Sequence, residues 1–499
     1  MSTEQTFMKK SVKYPIMYMA IYLAIQMFFL YNVIFFGVYD LGKSNDWGSF
    51  IVAVIWGMGN ILPIFVIKLS DKWGYKESLI VAGILQFLGF YLMSLGSVTT
   101  LLVGASMFGA SMVLAVSQNY VVMSNTMKGE YKGRFNIFLL SYALMNATSF
   151  VTGVISGFAP EIGYANVFRI GAVFSAIILV YVLIFYNRAV TFEGSQSWKM
   201  ATRPKKDKLA GFCKLLCLGI VTTIVIYLLC RVAPIINIVI NASVVCTILF
   251  VIFLAIKYKG SARKKIIVFL VLSIISMIFW TGYNMYTSTA FSSILDSATA
   301  LHHLTPQWGL SMDPFVIILF GIFLSIIFMK LEKKGIHFNA LMRILIGLFI
   351  LSLGMFTVVI GFHAGDFSKI NIAWMMIAIG ICGFGEIFIG PVATAVAGQC
   401  STEGLEGVFI AIGFIIVGGT GATAALLNEW MLKTGPTLLD KTHHMSFVIG
   451  VFALIALGGA IVMAILYKPM TRAAGFGRFR TKGKKFVRVA GTKKAGCVN

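Results

Sequence analysis

The chain has 499 residues, of which 59% are hydrophobic and only 12% are charged, and its mean hydropathy is +0.89. A water-soluble fold of this length does not sustain such a composition, so soluble protein classes are excluded and a polytopic membrane protein is indicated. The formal net charge of +23 is scattered over short segments between apolar stretches. That distribution is typical of membrane topology and does not indicate a nucleic-acid partner.

The apolar stretches predict an all-α fold with fourteen transmembrane helices. About 20 helical residues cross a hydrocarbon core of ~30 Å, and the residue alternation of membrane β-strands is absent. The first stretch is interpreted as a helix because no small-residue cleavage site of a signal peptide follows it. In chain order, the predicted spans are 15–38, 49–69, 78–97, 99–124, 135–158, 168–187, 209–231, 236–257, 266–295, 314–331, 338–361, 370–398, 408–429 and 445–467.

The most polar internal segment divides these spans into groups. It covers 187–208 and follows the sixth span, and six spans remain from residue 266 onward. Two six-helix halves around a midplane site resemble the architecture of the major facilitator superfamily. The predicted organisation is a cytoplasmic N-terminal segment (1–14), an N-terminal bundle (15–187), a loop with two additional helices (188–265), a C-terminal bundle (266–467) and a basic tail (468–499).

Lysine and arginine accumulate in alternate loops, as in RPKKDK (203–208), KGSARKK (259–265) and the tail GRFRTKGKKFVRVAGTKK (477–494). The positive-inside rule then predicts that both termini are cytoplasmic. No Asn-x-Ser/Thr sequon falls in a predicted outer loop, which favours a bacterial inner (plasma) membrane. The tail is predicted either to contact anionic lipid headgroups or to be a solvated end.

The segment KLSDKWGYKESL (68–79) resembles the signature of the superfamily between its second and third helices, with Asp71, Lys72, Gly74 and Lys76 in the matching places. An acid near a helix end and adjacent bases can pair across the halves when the cytoplasmic side closes, and glycine permits the tight turn. The alternative is an ordinary cytoplasmic hairpin that attracts lysine.

Two further stretches resemble the proton-dependent oligopeptide transporters. IGICGFGEIFIGPVATAVAGQCSTEGLEGVFIAIGF (379–414) is similar to the tenth superfamily helix of that family, with Gly385, Glu386 and Pro391 in place. The region 279–320 is similar to its seventh helix and the start of its eighth, where Trp280, Trp308 and Asp313-Pro314 stand at expected positions. The two additional central helices are typical of bacterial members. The resemblance implies a secondary active transporter that uses a proton gradient and no cofactor.

The N-terminal half departs from the family pattern of two glutamates and an arginine on the first helix. In LAIQMFFLYN (23–32), Leu23 and Gln26 replace the glutamates and Met27 replaces the arginine, if Phe28 and Tyr31 mark the register. The fourth-helix segment SQNYVVMSNT (117–126) has no lysine. A polar, weakly charged cavity is therefore expected, with interhelical hydrogen bonding as the alternative for each amide. Its predicted residues are Gln26, Tyr31, Gln118, Asn119, Trp280 and Asn284.

Glu386 is then expected to stand nearly alone among the neutral side chains. An ionised carboxylate at the bilayer centre costs on the order of 2.5 to 3.5 kcal/mol, so it needs a partner, a watery cavity or a proton. The basic residues of the spans lie near predicted ends and can reach the interface, namely Lys68, Arg169, Arg231 and Arg343. We predict that Glu386 receives a substrate amine, a proton or both in turn, with a structural hydrogen bond as the alternative. Gly385 and Pro391 are predicted to bend its helix.

The predicted function is proton-coupled uptake of di- or tripeptides, or of a related small amine-bearing solute, by alternating access. The alternatives are an importer or exporter of an amino-acid derivative or metal chelator, and a non-transporting membrane sensor. The expected partners are the solute, the proton and the lipid bilayer, with a monomeric chain. Neither an enzyme nor a metal site is expected, since no cluster of acids, histidines or cysteines has the required spacing.

Overall fold

The computed structural model describes residues 3–126, 131–190, 195–232, 235–286, 311–334, 338–367, 371–401, 405–433 and 437–474. Within these ranges the chain forms seventeen helices and no β-strand. In chain order the helices are α1 (Thr3–Tyr39), α2 (Asn45–Ile61), α3 (Pro63–Trp73), α4 (Tyr75–Met93), α5 (Val98–Thr126), α6 (Tyr131–Gly157), α7 (Ala159–Ile162), α8 (Tyr164–Ala189), α9 (Gln196–Ala201), α10 (Lys205–Leu229), α11 (Ile235–Lys257), α12 (Gly260–Tyr286), α13 (Met312–Lys333), α14 (Ala340–Ala364), α15 (Ile372–Cys400), α16 (Glu406–Lys433) and α17 (Leu438–Ala474).

Long apolar helices confirm the prediction of an all-α, multi-pass membrane protein. Ten of the described helices are long and apolar enough to cross a bilayer, and α2 with α3 would form an eleventh span. Each predicted span overlaps a described helix, and the second overlaps two. Residues 287–295 of the ninth span and residue 370 of the twelfth lie outside the described residues. Among the described residues, α13 and α16 contribute only the shorter apolar stretches Met312–Phe328 and Val408–Gly421, and α6 is not one of the candidate spans, so the number fourteen stays a prediction.

A proline explains why the span predicted at 49–69 consists of two helices. Pro63 is the first residue of α3, and α2 ends at Ile61. The two helices differ in direction by 47°. Proline has no N–H to donate and its ring crowds the carbonyl of the preceding turn, so the helix bends at this point.

The remaining helices pack in two groups. In the first part of the chain, α1 packs on α6 and α8, and α4 packs on α5 and α8. In the last part, α14 packs on α15 and α17, and α12 packs on α16 and α17. Small residues permit the closest approaches, as at Gly104, where an added Cβ would collide with the carbonyl oxygen of Gly89.

The two groups meet along two seams, one between α6 and both α13 and α15, and one between α2 and α16. At the first seam the Phe150 ring lies 5.7 Å from the Phe315 ring. A Cβ on Gly153 would overlap the Ser311 hydroxyl, so glycine brings the start of α13 against α6. This seam places side chains of α6 beside those of α15.

The two central helices cover the outside of both groups. α10 packs against α4 and α5, and α11 packs against α12 and α16. Their outward faces carry exposed apolar side chains, which suits contact with lipid. These side chains are Ile220, Val221, Ile224, Leu249, Phe253 and Ile256.

Candidate functional site

Glu386 lies in the middle of α15 and is only 5% exposed. The hydroxyl group of Tyr142 on α6 donates a hydrogen bond to its Oε1 atom. The Oε2 atom receives no hydrogen bond from the described part of the chain. Glu386 is therefore a buried carboxyl group with one satisfied oxygen, and the contact that satisfies it crosses the seam between α6 and α15.

A second carboxyl group lies beside Glu386. Asp313, in the first turn of α13, is 6% exposed, and it is close enough to Glu386 for the two carboxyl groups to interact. The Tyr283 hydroxyl donates to its Oδ2 atom at 2.8 Å. No described group donates to its Oδ1 atom. We call Asp313 and Glu386 the carboxyl pair.

The expectation that Glu386 stands nearly alone is therefore wrong. The sequence did contain a signal for Asp313, because an acid directly before a proline and an apolar run is typical of the first turn of a helix. The predicted span began at residue 314, which left Asp313 outside it by one residue. Tyr142 and Tyr283 had no comparable signal, since tyrosines in apolar helices are commonly core residues.

Two glycines make room for the groups that contact Glu386. An added Cβ on Gly383 would overlap the Asp313 carboxyl group, and one on Gly390 would overlap the Tyr142 ring. Gly383 and Gly390 lie three residues before and four residues after Glu386, so all three share one face of α15. The sequence segment around Glu386 is thus shaped to receive side chains from two other helices.

Gly385 lies on a different face of α15, where a Cβ would come within 3.2 Å of the Gly347 carbonyl oxygen on α14. Its observed role is close helix packing. The helix α15 continues through Pro391 to Cys400. The bend predicted at Gly385 and Pro391 stays a prediction.

Two predicted residues lie on α12 next to Tyr283. The ring of Trp280 meets the Tyr283 ring edge-on at 5.4 Å, and its Nε1 atom has no acceptor among the described groups. The Asn284 side chain turns towards α16, where its Nδ2 atom donates to Thr420 Oγ1 at 3.3 Å. Trp280 therefore borders the carboxyl pair through Tyr283, whereas Asn284 joins α12 to α16.

Three of the other predicted polar residues, Tyr31, Gln118 and Asn119, form interhelical contacts. Tyr31 on α1 shares a 3.3 Å hydrogen bond with Ser149 on α6 and is close enough to Asp313 and Glu386 to interact with their charges. Gln26 is buried on α1. On α5, the side chains of Gln118 and Asn119 donate to Ser70 Oγ at 2.9 Å and to the Pro15 carbonyl oxygen at 3.2 Å. The structure thus brings Tyr31 near the carboxyl pair, and it ties Gln118 and Asn119 to α3 and α1.

The predicted gating motif lies at the turn between α3 and α4. Tyr75 donates its hydroxyl proton to Asp71 Oδ1. Lys76 lies 3.5 Å from both the Leu183 carbonyl oxygen and Asn187 Oδ1 on α8. Lys72 is exposed. These contacts join α4 to α8, and pairing of the motif across the halves stays a prediction.

Arg203, from the loop before α10, holds this turn and was not predicted. Its guanidinium group donates to the carbonyl oxygens of Lys72 and Trp73 at 2.9 and 2.6 Å and forms an ion pair with Glu77 at 3.7 Å. Gly74 has a φ of 124°, which favours glycine, and a Cβ there would overlap the Glu77 carboxylate. The sequence pattern indicates only a membrane-topology role for the basic run that contains Arg203.

The basic residues of the spans fall into two groups. Lys68, Arg169 and Arg231 are exposed, in line with the prediction that they reach the interface. Arg343 does not, because it is 1% exposed. Its guanidinium group stacks over the Phe328 ring at 4.2 Å, and its Nε atom donates to the Phe338 carbonyl oxygen at 3.2 Å. A ring and a carbonyl near the start of α14 replace the solvent that snorkelling would have reached.

The carboxyl pair can exchange a proton or bind a cation. A carboxyl group that carries a proton donates to its neighbour, and an ammonium group can donate to both. No described lysine or arginine forms an ion pair with either carboxyl group, because the ion pair found in the described ranges joins Arg203 to Glu77. The same ranges contain no group of three or more potential metal ligands.

Comparisons with known proteins agree on one family. Residues 79–434 match the model of the POT family. Dipeptide and tripeptide permease B from Salmonella typhimurium is 22% identical over 426 residues, which cover 80% of this chain and 82% of the permease.

Solved structures show the same fold at low sequence identity. A POT family transporter in complex with a thioalcohol-conjugated peptide aligns with a TM-score of 0.74 at 14% identity, covering 93% of this chain and 97% of the transporter. The peptide transporter POT in complex with sulfate aligns with a TM-score of 0.71 at 16% identity, covering 95% and 99%.

Proposed function

This chain belongs to the POT family, and on that premise we propose that it is a secondary active transporter of small amine-bearing solutes related to short peptides. A proton gradient drives uptake, and the solute and the proton meet at the carboxyl pair. The relatives that support this proposal are a bacterial dipeptide and tripeptide permease and transporters crystallised with a thioalcohol-conjugated peptide and with 5-aminolevulinic acid.

The hydrogen bond from Tyr142 to Glu386 is the observation that carries the proposal. It joins α6 to α15 through two residues that are 244 positions apart in the sequence. In the predicted organisation, α6 belongs to the N-terminal bundle and α15 to the C-terminal bundle. A proton or ammonium group on Glu386 changes this contact between the bundles, and ligand binding alters a conformational equilibrium through such a differential contact.

The carboxyl pair supplies the link between proton and solute. Two neighbouring ionised carboxylates repel each other strongly in a site of low dielectric, so one proton or one cation between them stabilises the site. The proton and the solute amine therefore act on the same two groups. Their sequential or joint binding is how this site couples proton movement to solute movement.

The proposed architecture and location complete this function. We propose two six-helix bundles, 15–187 and 266–467, with the additional helices between them, both termini in the cytoplasm and a monomeric chain in a bacterial inner membrane. Support comes from the two packed helix groups that meet at the seams, from the loop charges and from the bacterial permease relative. Asp71, Lys72, Gly74 and Lys76 are proposed to act in gating at the cytoplasmic end.

Uptake into proteoliposomes tests the proposal. Purified protein is reconstituted, an inward proton gradient is imposed, and labelled peptides, peptide amides and amines are presented to it and to Glu386→Gln. We expect accumulation that depends on the gradient and falls to background in the variant. The matched control is Glu161→Gln, which removes an exposed carboxylate at α7 and is expected to retain uptake. Accumulation that is indifferent to both the gradient and Glu386 contradicts the proposal, and a complete lack of uptake favours a sensor.

A further inference from the structure

The charged side chains inside the two helix bundles indicate which amine-bearing solutes fit this site. Asp313 and Glu386 are both more than nine-tenths buried, and each keeps one oxygen without a donor among the described groups. Across the whole sequence, the lysines and arginines of the predicted spans in the two bundles lie near span ends. The site therefore offers up to two negative charges at its centre and no fixed positive charge at the same depth.

The described polar groups that contact the carboxyl pair are neutral. Tyr142 and Tyr283 already donate to the pair, and Tyr31 shares its hydroxyl with Ser149. Trp280 presents an Nε1–H without an acceptor among the described groups, and indole is a donor only. The indole nitrogen therefore cannot bind a cation or take up a proton. Its N–H can donate a hydrogen bond to the carbonyl oxygen of an amide or ester. The rings of Trp280 and Tyr283 also suit an adjacent ammonium group.

A free carboxylate on the solute is poorly tolerated in this setting. It would bring another negative charge into a low-dielectric site that already holds the carboxyl pair, where no described lysine or arginine pairs with these groups. A cation without a carboxylate has the opposite effect, because its ammonium group supplies the hydrogen bonds that the two partnerless oxygens lack. Specificity of this kind comes as much from repulsion of the wrong solute as from attraction of the right one.

We infer that the solute is an organic ammonium ion that lacks a free carboxylate, such as a short peptide with an amidated C-terminus, held by Asp313 and Glu386. This inference rests on the proposed transport function and narrows its substrate class. The ammonium group lies between the two carboxyl groups, and the neutral amide end lies towards Trp280. An ordinary dipeptide zwitterion binds more weakly, because its carboxylate has no cationic partner.

Two ligands that differ in one group test the inference. Labelled alanyl-alaninamide and labelled alanyl-alanine have the same size and the same ammonium group, and differ in the charge of the C-terminus. Initial uptake of each is measured in proteoliposomes under the same inward proton gradient, with a second readout from the ligand-induced shift in thermal unfolding of the detergent-solubilised protein. We expect at least tenfold faster uptake of the amide, and a thermal shift with the amide alone.

The possible outcomes separate the inference from the function on which it rests. Equal or faster uptake of alanyl-alanine overturns the inference and leaves proton-coupled transport standing. If neither ligand nor any amine in a mixed pool is accumulated, proton-coupled transport itself is refuted and the inference with it. Accumulation of the amide alone supports both.

A variant ties the preference to the carboxyl pair. Asp313→Asn keeps the shape of the side chain and removes one charge, so we expect the ratio of amide to dipeptide uptake to fall several-fold. The ratio is independent of the amount of folded protein in the vesicles. Asp207→Asn, at an exposed carboxylate in the first turn of α10, is the matched control and keeps the ratio. An unchanged ratio in Asp313→Asn overturns the assignment to this pair.

Discussion

Glu77 and Glu386 are glutamates of nearly equal burial with different surroundings. Glu77 is 7% exposed and has Arg203 at 3.7 Å, whereas Glu386 is 5% exposed and has Tyr142 and Asp313. A buried charge is retained where an opposite charge compensates it, or where its lack of compensation serves a function. The comparison teaches that the partners of a buried acid, and not its depth, indicate its role.

The position of each glutamate explains its partners. Glu77 lies in the first turn of α4, where Arg203 from the loop before α10 also reaches two carbonyl oxygens at the end of α3. Glu386 lies in the middle of α15, and its contacts among the described residues come from other helices. The charge of Glu77 therefore stabilises a turn, and the charge of Glu386 stays available to a proton or a solute.

The largest effect on stability is expected from Arg203→Gln. This change removes the ion-pair partner of Glu77, leaves only the weaker interactions with Lys76 and Lys208, and removes donors from two carbonyl oxygens. We therefore expect the free energy of unfolding to fall by roughly 3 kcal/mol. Thermal or denaturant unfolding in detergent measures it. The double variant Glu77→Gln with Arg203→Gln is expected to recover part of the loss, because it leaves no lone charge. Equal losses in the single and double variants would show that the ion pair contributes nothing.

Gly383→Ala is expected to act on transport. Its Cβ overlaps the Asp313 carboxyl group, so the carboxyl pair separates while every charge is retained, and we expect about a tenfold fall in kcat/KM for uptake, or ~1.4 kcal/mol. The control is Gly413→Ala on α16, where a Cβ meets no described atom within 4 Å. Similar losses in both variants would point to a general intolerance of alanine in these helices.

A smaller effect is expected from Tyr142→Phe. It removes the hydroxyl donor to Glu386 across the seam, and because the bond goes to a carboxyl group we expect kcat/KM for uptake to fall by about fivefold, or ~1 kcal/mol. Tyr181→Phe is the control, since it removes a 3.1 Å hydrogen bond to the Tyr14 carbonyl oxygen between α8 and α1. Uptake in Tyr142→Phe that equals that of the control contradicts a role for the contact.

The smallest effect on stability is expected from Glu386→Gln. Glutamine can still accept from Tyr142 and carries no buried charge, so the free energy of unfolding should change by less than about 1 kcal/mol although transport is lost. The same unfolding assay measures it beside Arg203→Gln. A loss as large as that of Arg203→Gln would make Glu386 a structural residue like Glu77.

Prediction from sequence succeeded where the signal is local. The apolar stretches predicted the positions of the long apolar helices, and the segment 379–414 indicated the family that the comparison shows. Trp280 contacts Tyr283, and its role at the site stays a prediction. Prediction from sequence failed where a single residue or a single tertiary contact determines the structure. Asp313 lies one residue outside its predicted span, and Arg343 is buried instead of reaching the interface.

The amino-acid sequence by itself determined the class of protein, its helical content and the presence of an uncompensated Glu386, because hydropathy and local motifs depend on neighbouring residues. Tertiary structure alone decided which side chains meet that glutamate. Asp313 and Tyr142 come from helices 73 and 244 positions away, and close packing at Gly383 and Gly390 brings them together. Such contacts depend on how three helices pack, which no local pattern of residues specifies.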